Sequence, residues 1–310
     1  MSLSGERAAL GAFVTGSVLA GGNAVGVRFS NRELAPLWGA GLRFLLAAAL
    51  LVAAMVALGL TLPRGRALAG ASLYGALNFG LAFALAYYGF VRIQAGLGQT
   101  LLALVPLLTL LLAVFQRQER LRVGAIAGAV LAVAGIGVLS RAPLQEAVPL
   151  LSLLALLGSA VCFAQAAILV RHFPPVHPVA TNAVGMTSAA LLLIPGAVLF
   201  GEPIALPRRV ETWLALSYLI VVGSVVVFVL YVFVLRHWTA SRAAYTFVLV
   251  PVVTVVLSAW LDDEPIRAGL LLGGSLVLAG VYVGALRRGG SRPPPGTRPT
   301  IEGSLPVERR

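Results

Sequence analysis

Four long apolar runs constrain this chain more than anything else in it. Residues 37–60, 69–91, 96–115 and 212–235 each approach or exceed the roughly 20 residues that cross hydrocarbon as a helix. In lipid the backbone must satisfy its own hydrogen bonds, which leaves helices or a closed barrel. A barrel strand alternates polar and apolar positions over about 10 residues, and these runs do not alternate. Composition agrees: 59% of the 310 residues are hydrophobic and 11% charged, against about 45–50% and 25% in soluble domains. The expected fold is all-α and polytopic, with ten transmembrane helices.

The expected spans are residues 8–27, 37–60, 69–91, 96–115, 123–139, 150–170, 179–200, 212–235, 240–260 and 268–286. The first run lacks a small-residue cleavage site and reads as an uncleaved helix, not a signal peptide. Residues 289–310, rich in Pro, Gly and Arg, read as a disordered cytoplasmic tail. The net charge of +12 is spread a few arginines at a time between apolar runs, so nucleic acid is not the expected partner; the bilayer is. Cys162 is the only cysteine, which excludes an intramolecular disulfide or a cysteine zinc cluster. No metal or other cofactor is expected. Fourteen arginines fall on the side of Arg7 and seven on the side of Arg28. The positive-inside rule then places both termini in the cytoplasm.

The chain also repeats itself. A slide of 145 carries Pro106 to Pro251, Thr109 to Thr254, Glu119 to Glu264, Arg122 to Arg267, and Gly124, Gly128 and Gly135 to Gly269, Gly273 and Gly280. A slide of 144 pairs Tyr74 with Tyr218 and Tyr87 with Tyr231; a slide of 142 pairs Gly16 and Ser17 with Gly158 and Ser159, and Pro36 with Pro178. Two units follow, residues 1–145 and 146–288, each of five helices. Five is odd, so the second unit enters from the opposite side. Inverted repeats are a transporter architecture, with the solute near the midplane between halves.

These features resemble the drug/metabolite transporter superfamily, specifically its ten-helix EamA-type members. The resemblance covers about residues 8–286. It rests on AGLGQTLLALVPLLTLLLAVFQRQE and ASRAAYTFVLVPVVTVVLSAWLDDE, each followed by a Gly-rich helix, VGAIAGAVLAVAGIGVL and AGLLLGGSLVLAGVYVG. LWGAGLRFLLAA is similar to the family's second helix, whose arginine corresponds to Arg43. The resemblance implies an exporter of amino acids or related metabolites, with a cavity lined mainly by helices 1, 3, 4, 6, 8 and 9.

Polar groups at depth are the substrate-binding candidates: Asn23, Asn78, Gln99, Gln165, Ser224 and Thr246, with Tyr88, Phe163 and Tyr231 as aromatic walls. Amides can bond both ends of a zwitterion, and aromatic walls give a permissive apolar pocket. The same amides can instead tie helices together. Helix 1 is expected to meet helix 6, bringing Asn23 and Gln165 to opposite walls of one cavity. Pro106 and Pro251 are candidate hinges, because each removes an intrahelical hydrogen bond. Arg43 is the one charge well inside a span, about 9 Å deep at 1.5 Å per residue. It either snorkels to the interface or binds a carboxylate. Gly124, Gly128, Gly269, Gly273, Gly280 and Gly284 form small faces on helices 5 and 10, suited to close packing or a homodimer. Glu119 and Glu264 read as solvated or helix-linking groups.

No Asp or Glu falls inside any span, and His172, His177 and His237 are all in loops between the expected spans. Proton-coupled carriers use intramembrane titratable groups, so transport of neutral metabolites without obligatory proton movement is expected. A proton-coupled drug/metabolite antiporter is the alternative, followed by a non-transporting receptor or scaffold. An enzyme is excluded for want of a nucleophile–base pair or metal ligands at depth.

Overall fold

The computed structural model describes residues 3–117, 123–141, 149–169, 172–174, 176–237 and 246–286. Among these, seven helices are long and apolar enough to cross a membrane, and three shorter apolar helices complete ten. They are α1 (Leu3–Ser30), α2 (Pro36–Ala57), α3 (Gly65–Phe90), α4 (Ala95–Phe115), α5 (Val123–Arg141), α6 (Leu150–Leu169) and α7 (Pro178–Leu199). After these come α8 (Val210–His237), α9 (Thr246–Leu261) and α10 (Ala268–Leu286). Both the tail from residue 289 and Glu119 lie outside the described residues.

Local chemistry sets the helix ends, and it recurs between halves. Pro36 opens α2 and Pro178 opens α7, where the missing N–H has no partner to lose. After α2 and α7 come Gly59 at φ 63° and Gly201 at φ 69°, left-handed positions that glycine occupies without strain. Inside α3 a π-helical segment runs Ala76–Leu81, and inside α8 another runs Val221–Val226, offset by the same 145 residues. Such segments carry one wider turn and concentrate at functional sites.

Pro106 and Pro251 behave differently. Helix α4 breaks at Ala103–Leu104 into Ala95–Leu102 and Val105–Phe115, with Pro106 in the first turn of the second piece. Helix α9 runs through Pro251 without interruption.

The halves interlock. Equivalent helices pack on each other at α2–α7 and α5–α10. Helix α1 does not pack along α6 as the sequence suggested. It lies against α8 and α9, while α6 lies against their counterparts α3 and α4. The physical reason is at Gly21 and Gly22, which let α1 wedge between Val253 of α9 and Tyr218 of α8; a Cβ would sit 2.5 Å from Val253 Cγ1 or 2.4 Å from Tyr218 Oη. Thr254 Oγ1 donates to Gly21 O at 2.7 Å across this contact.

The glycine faces close within one chain. A Cβ on Gly128 would lie 2.4 Å from Gly280 O and Gly284 Cα, and one on Gly135 would lie 2.7 Å from Gly273 O. A homodimer through these glycines would have to open the α5–α10 contact, so the expected dimer face is already occupied.

At the α1 C-terminal end of the bundle, carboxylates join the halves. Glu202 accepts the Leu37 and Trp38 amides at 3.1 and 2.8 Å, and Glu33 accepts those of Arg208 and Arg209. Glu264 accepts from Ala95 at 2.8 Å and from Gly96 at 3.3 Å. Each therefore places an anion at the start of a helix from the other half, where the helix dipole favours it. Arg28 bridges Asp262 at 2.9 Å and Glu264 at 3.0 Å, and Arg32 joins Asp262. Hydrogen bonds from the Thr212 side chain and the Arg209 amide hold the Glu33 carboxyl below its ordinary range.

Candidate functional site

Arg43 is fully buried in the middle of the bundle; it does not snorkel. Its position on α2 directs it toward the π segment of α8 and the Gly21–Asn23 stretch of α1. Nε donates to Ser224 Oγ at 3.0 Å, and Nη2 donates to Asn23 Oδ1 at 3.1 Å and Gly223 O at 3.3 Å. Ser224 Oγ donates in turn to Leu219 O at 2.8 Å. Gly223 must lack a side chain here, because a Cβ would lie 2.1 Å from Asn23 Oδ1. The π segment of α8 thus supplies both a carbonyl and a hydroxyl to one cation.

An aromatic shell surrounds this cluster. The Arg43 guanidinium lies 4.9 Å from the Phe83 ring centre and 5.1 Å from that of Phe44, within cation–π range. From Phe83 the shell extends to Phe163 of α6, edge-on at 5.4 Å. Through Phe44 it reaches Phe79 at 5.5 Å, and from there Phe228 of α8 at 5.0 Å. Helices of both halves therefore line one aromatic and polar centre. Two groups on its margin, Arg43 Nη1 and Tyr87 Oη, make no well-formed hydrogen bond, although Tyr87 stands against the Arg43 guanidinium. Tyr87 is fully buried and stands in the electrostatic field of Arg43.

The sequence candidates divide around this centre. Asn23 and Ser224 hold Arg43 directly, and Phe163 belongs to the aromatic shell. Asn78 is buried in the π segment of α3. Gln99 is half-buried on the first piece of α4. Gln165 lies near the α6 C-terminus and accepts from Gln116 Nε2 at 2.7 Å, so it ties α6 to the end of α4. Asn23 and Gln165 do not face each other. Tyr231 packs against Ala9 and Val234 and also neighbours Tyr74, whose ring is edge-on to Phe79 of the shell at 5.7 Å, and Thr246 is the first described residue of α9. Tyr88 is 44% exposed, while its neighbour Tyr87 points inward at 0%. The sequence missed Tyr87 and the central place of Arg43; the Tyr87–Tyr231 repeat match was the available signal for the former.

Comparison with known proteins agrees with this architecture. The description of the EamA-like transporter family matches residues 7–141 and again 150–285, one copy per half. The Uncharacterized inner membrane transporter YedA of Escherichia coli (strain K12) is 27% identical over 261 residues, covering 83% of this chain and 84% of that protein. A Probable terminal-alkyne amino-acid exporter of Streptantibioticus cattleyicolor is 30% identical over 250 residues, covering 78% and 81%. A Probable amino-acid metabolite efflux pump of E. coli (strain K12) is 29% identical over 284 residues, covering 86% and 91%. A solved crystal structure superposes with a TM-score of 0.66 at 22% identity, over 91% of this chain and 97% of that one, which establishes a shared fold. With both halves matched and ten membrane helices in place, this chain belongs to the EamA-like transporter family, a family of transporters and not of enzymes.

Proposed function

We propose that this transporter exports small metabolites with amino-acid chemistry across the inner membrane by alternating access, without obligatory proton coupling. The observation that carries the reading is the centre at Arg43. There α1, α2 and the π segments of α3 and α8 bring hydrogen-bonding groups and aromatic faces together inside the bundle, between two halves of matching design. Two relatives of about 30% identity bear names of amino-acid or amino-acid-metabolite exporters, and one bears the name of an inner-membrane transporter. Asn23, Asn78, Gln99, Phe163 and Ser224 are the preferred solute contacts.

The coupling follows from charge. Away from the helix ends, the described spans contain no carboxylate and only one cation, Arg43. A proton cycle would need a group that titrates at depth. The arginine bias places both termini in the cytoplasm, so the Glu202–Glu33–Glu264 end faces outward.

Reconstituted liposomes test the reading. A panel of amino acids and close metabolites should include solutes whose uptake saturates and is independent of a pH gradient. Failure to carry any of them removes the substrate class. Uphill accumulation driven by a pH gradient alone removes the uncoupled mechanism. A C-terminal reporter active outside the cytoplasm removes the orientation.

A further inference from the structure

We infer that Arg43 is the receptor for a solute carboxylate, with Tyr87 as a second donor and the Phe79–Phe83–Phe163 cluster as the seat of the solute's apolar part. The inference rests on the export reading for its substrate class and on four structural observations for its place.

First, Arg43 is 0% exposed and has no carboxylate partner among the described residues; its acceptors are a hydroxyl, an amide oxygen and a backbone carbonyl. A buried charge held only by neutral groups is costly, and an anion that enters beside it recovers that cost. Second, Nη1 makes no hydrogen bond, although a guanidinium presents five donors in one plane. Third, the Tyr87 hydroxyl is also buried and stands against the same guanidinium without a well-formed hydrogen bond. A carboxylate has two oxygens and about four acceptor sites, enough for Nη1 and Tyr87 together. Fourth, the guanidinium lies against the Phe44 and Phe83 rings, which continue into the shell shared by both halves.

The geometry also links binding to movement. The two acceptors on Nη2, Asn23 Oδ1 at 3.1 Å and Gly223 O at 3.3 Å, are its longer bonds, and they tie α2 to α1 and α8. A carboxylate that spans Nη1 and Nη2 replaces them with shorter charge-assisted bonds. Solute then takes the place of the ties that hold α1 and α8 on α2.

Matched acids and amides test this on the purified full chain in nanodiscs. The probes are L-leucine and L-phenylalanine against L-leucinamide and L-phenylalaninamide, read as ligand-induced thermal shift over a concentration series. The expected result is a preference for the acids of at least about tenfold, the weight of a charge-assisted pair. Arg43→Gln should abolish the preference. Tyr87→Phe, which removes only one hydroxyl oxygen, should weaken the acids about fivefold and leave the amides unchanged. Equal response to acid and amide, no response to either, or an identical response to chloride at the same ionic strength overturns the inference. The two readings fail separately. Acids that bind through Arg43 but are never carried sink the export reading and leave this site standing. Amides carried in liposomes as fast as their acids leave export standing and sink the site.

Discussion

Glu264 caps Ala95: a carboxylate near the end of the second half accepts the first amide of α4 at 2.8 Å, while Arg28 of α1 holds it from the other side at 3.0 Å. Three helices from both halves meet on this one side chain. Glu264→Ala should lower stability by about 1–2 kcal/mol through loss of the cap and its favourable place at the helix dipole. Glu264→Gln should recover part of that, since it keeps an acceptor but not the charge. Thermal unfolding in detergent at matched expression measures both; wild-type stability in Glu264→Ala would show that the cap contributes nothing.

Two glycines only two residues apart on α5 should give opposite results. Gly135→Ala drives a Cβ to 2.7 Å from the Gly273 carbonyl and should cost about 1–3 kcal/mol, as overpacking does. Gly137 has nothing within 4 Å of its would-be Cβ. Gly137→Ala should gain about 0.5–1 kcal/mol through the smaller backbone entropy loss. Equal unfolding midpoints for the two would contradict the α5–α10 packing.

The depressed Glu33 carboxyl makes one end of the bundle acid-sensitive. Its ionised form is favoured in the folded state by the Thr212 and Arg209 hydrogen bonds. That stability is therefore fully present above the ordinary carboxylate range and is lost as pH falls through the lower folded value. The unfolding midpoint of Glu33→Gln should show a smaller drop over that acid window than wild type. Parallel curves would remove Glu33 from the linkage.

Asn23 and Gln165 should separate, although repeat symmetry makes them equivalents. Asn23→Ala removes one of the two acceptors on Nη2 of Arg43 and should shift apparent solute affinity several-fold, the effect of about 1 kcal/mol. Gln165→Ala breaks a tie to Gln116 at the helix ends and should change stability but not affinity. Transport kinetics at matched protein level, with an unfolding curve for each variant, distinguish the two roles; an affinity change in Gln165→Ala would contradict its placement.

Much of this fold was legible because lipid imposes length and the duplication prints its offset. The helix limits at Pro36 and Pro178 follow from proline chemistry alone; the break near Pro106 does not, because the equivalent Pro251 leaves α9 whole. The glycine repeats announced close packing, but sequence spacing cannot say whether the partner is another chain or α10 of the same one. The centre was harder to read. In an all-apolar helix no polar face marks the interior, so Tyr87 and Tyr88, about 100° apart, look alike until packing turns one in and the other out. Arg43 shared this ambiguity, because its depth suited either snorkelling or burial. What decides it is tertiary: glycine at 223 lets Asn23 approach, and the wide turn of α8 presents Ser224.

Alternating access is the central claim, and locking one end tests it most directly. Cys162 is the only cysteine, so a Cys162→Ser background is free of thiols. In it, Arg32→Cys and Asp262→Cys replace an ion pair that joins α1 to the end of α9. A short bis-methanethiosulfonate should hold this end closed. The measurement is counterflow of labelled solute into preloaded liposomes. Crosslinked protein should lose the trans-stimulated uptake, and reductant should restore it. Uptake that continues at the uncrosslinked rate with this end locked would contradict the account.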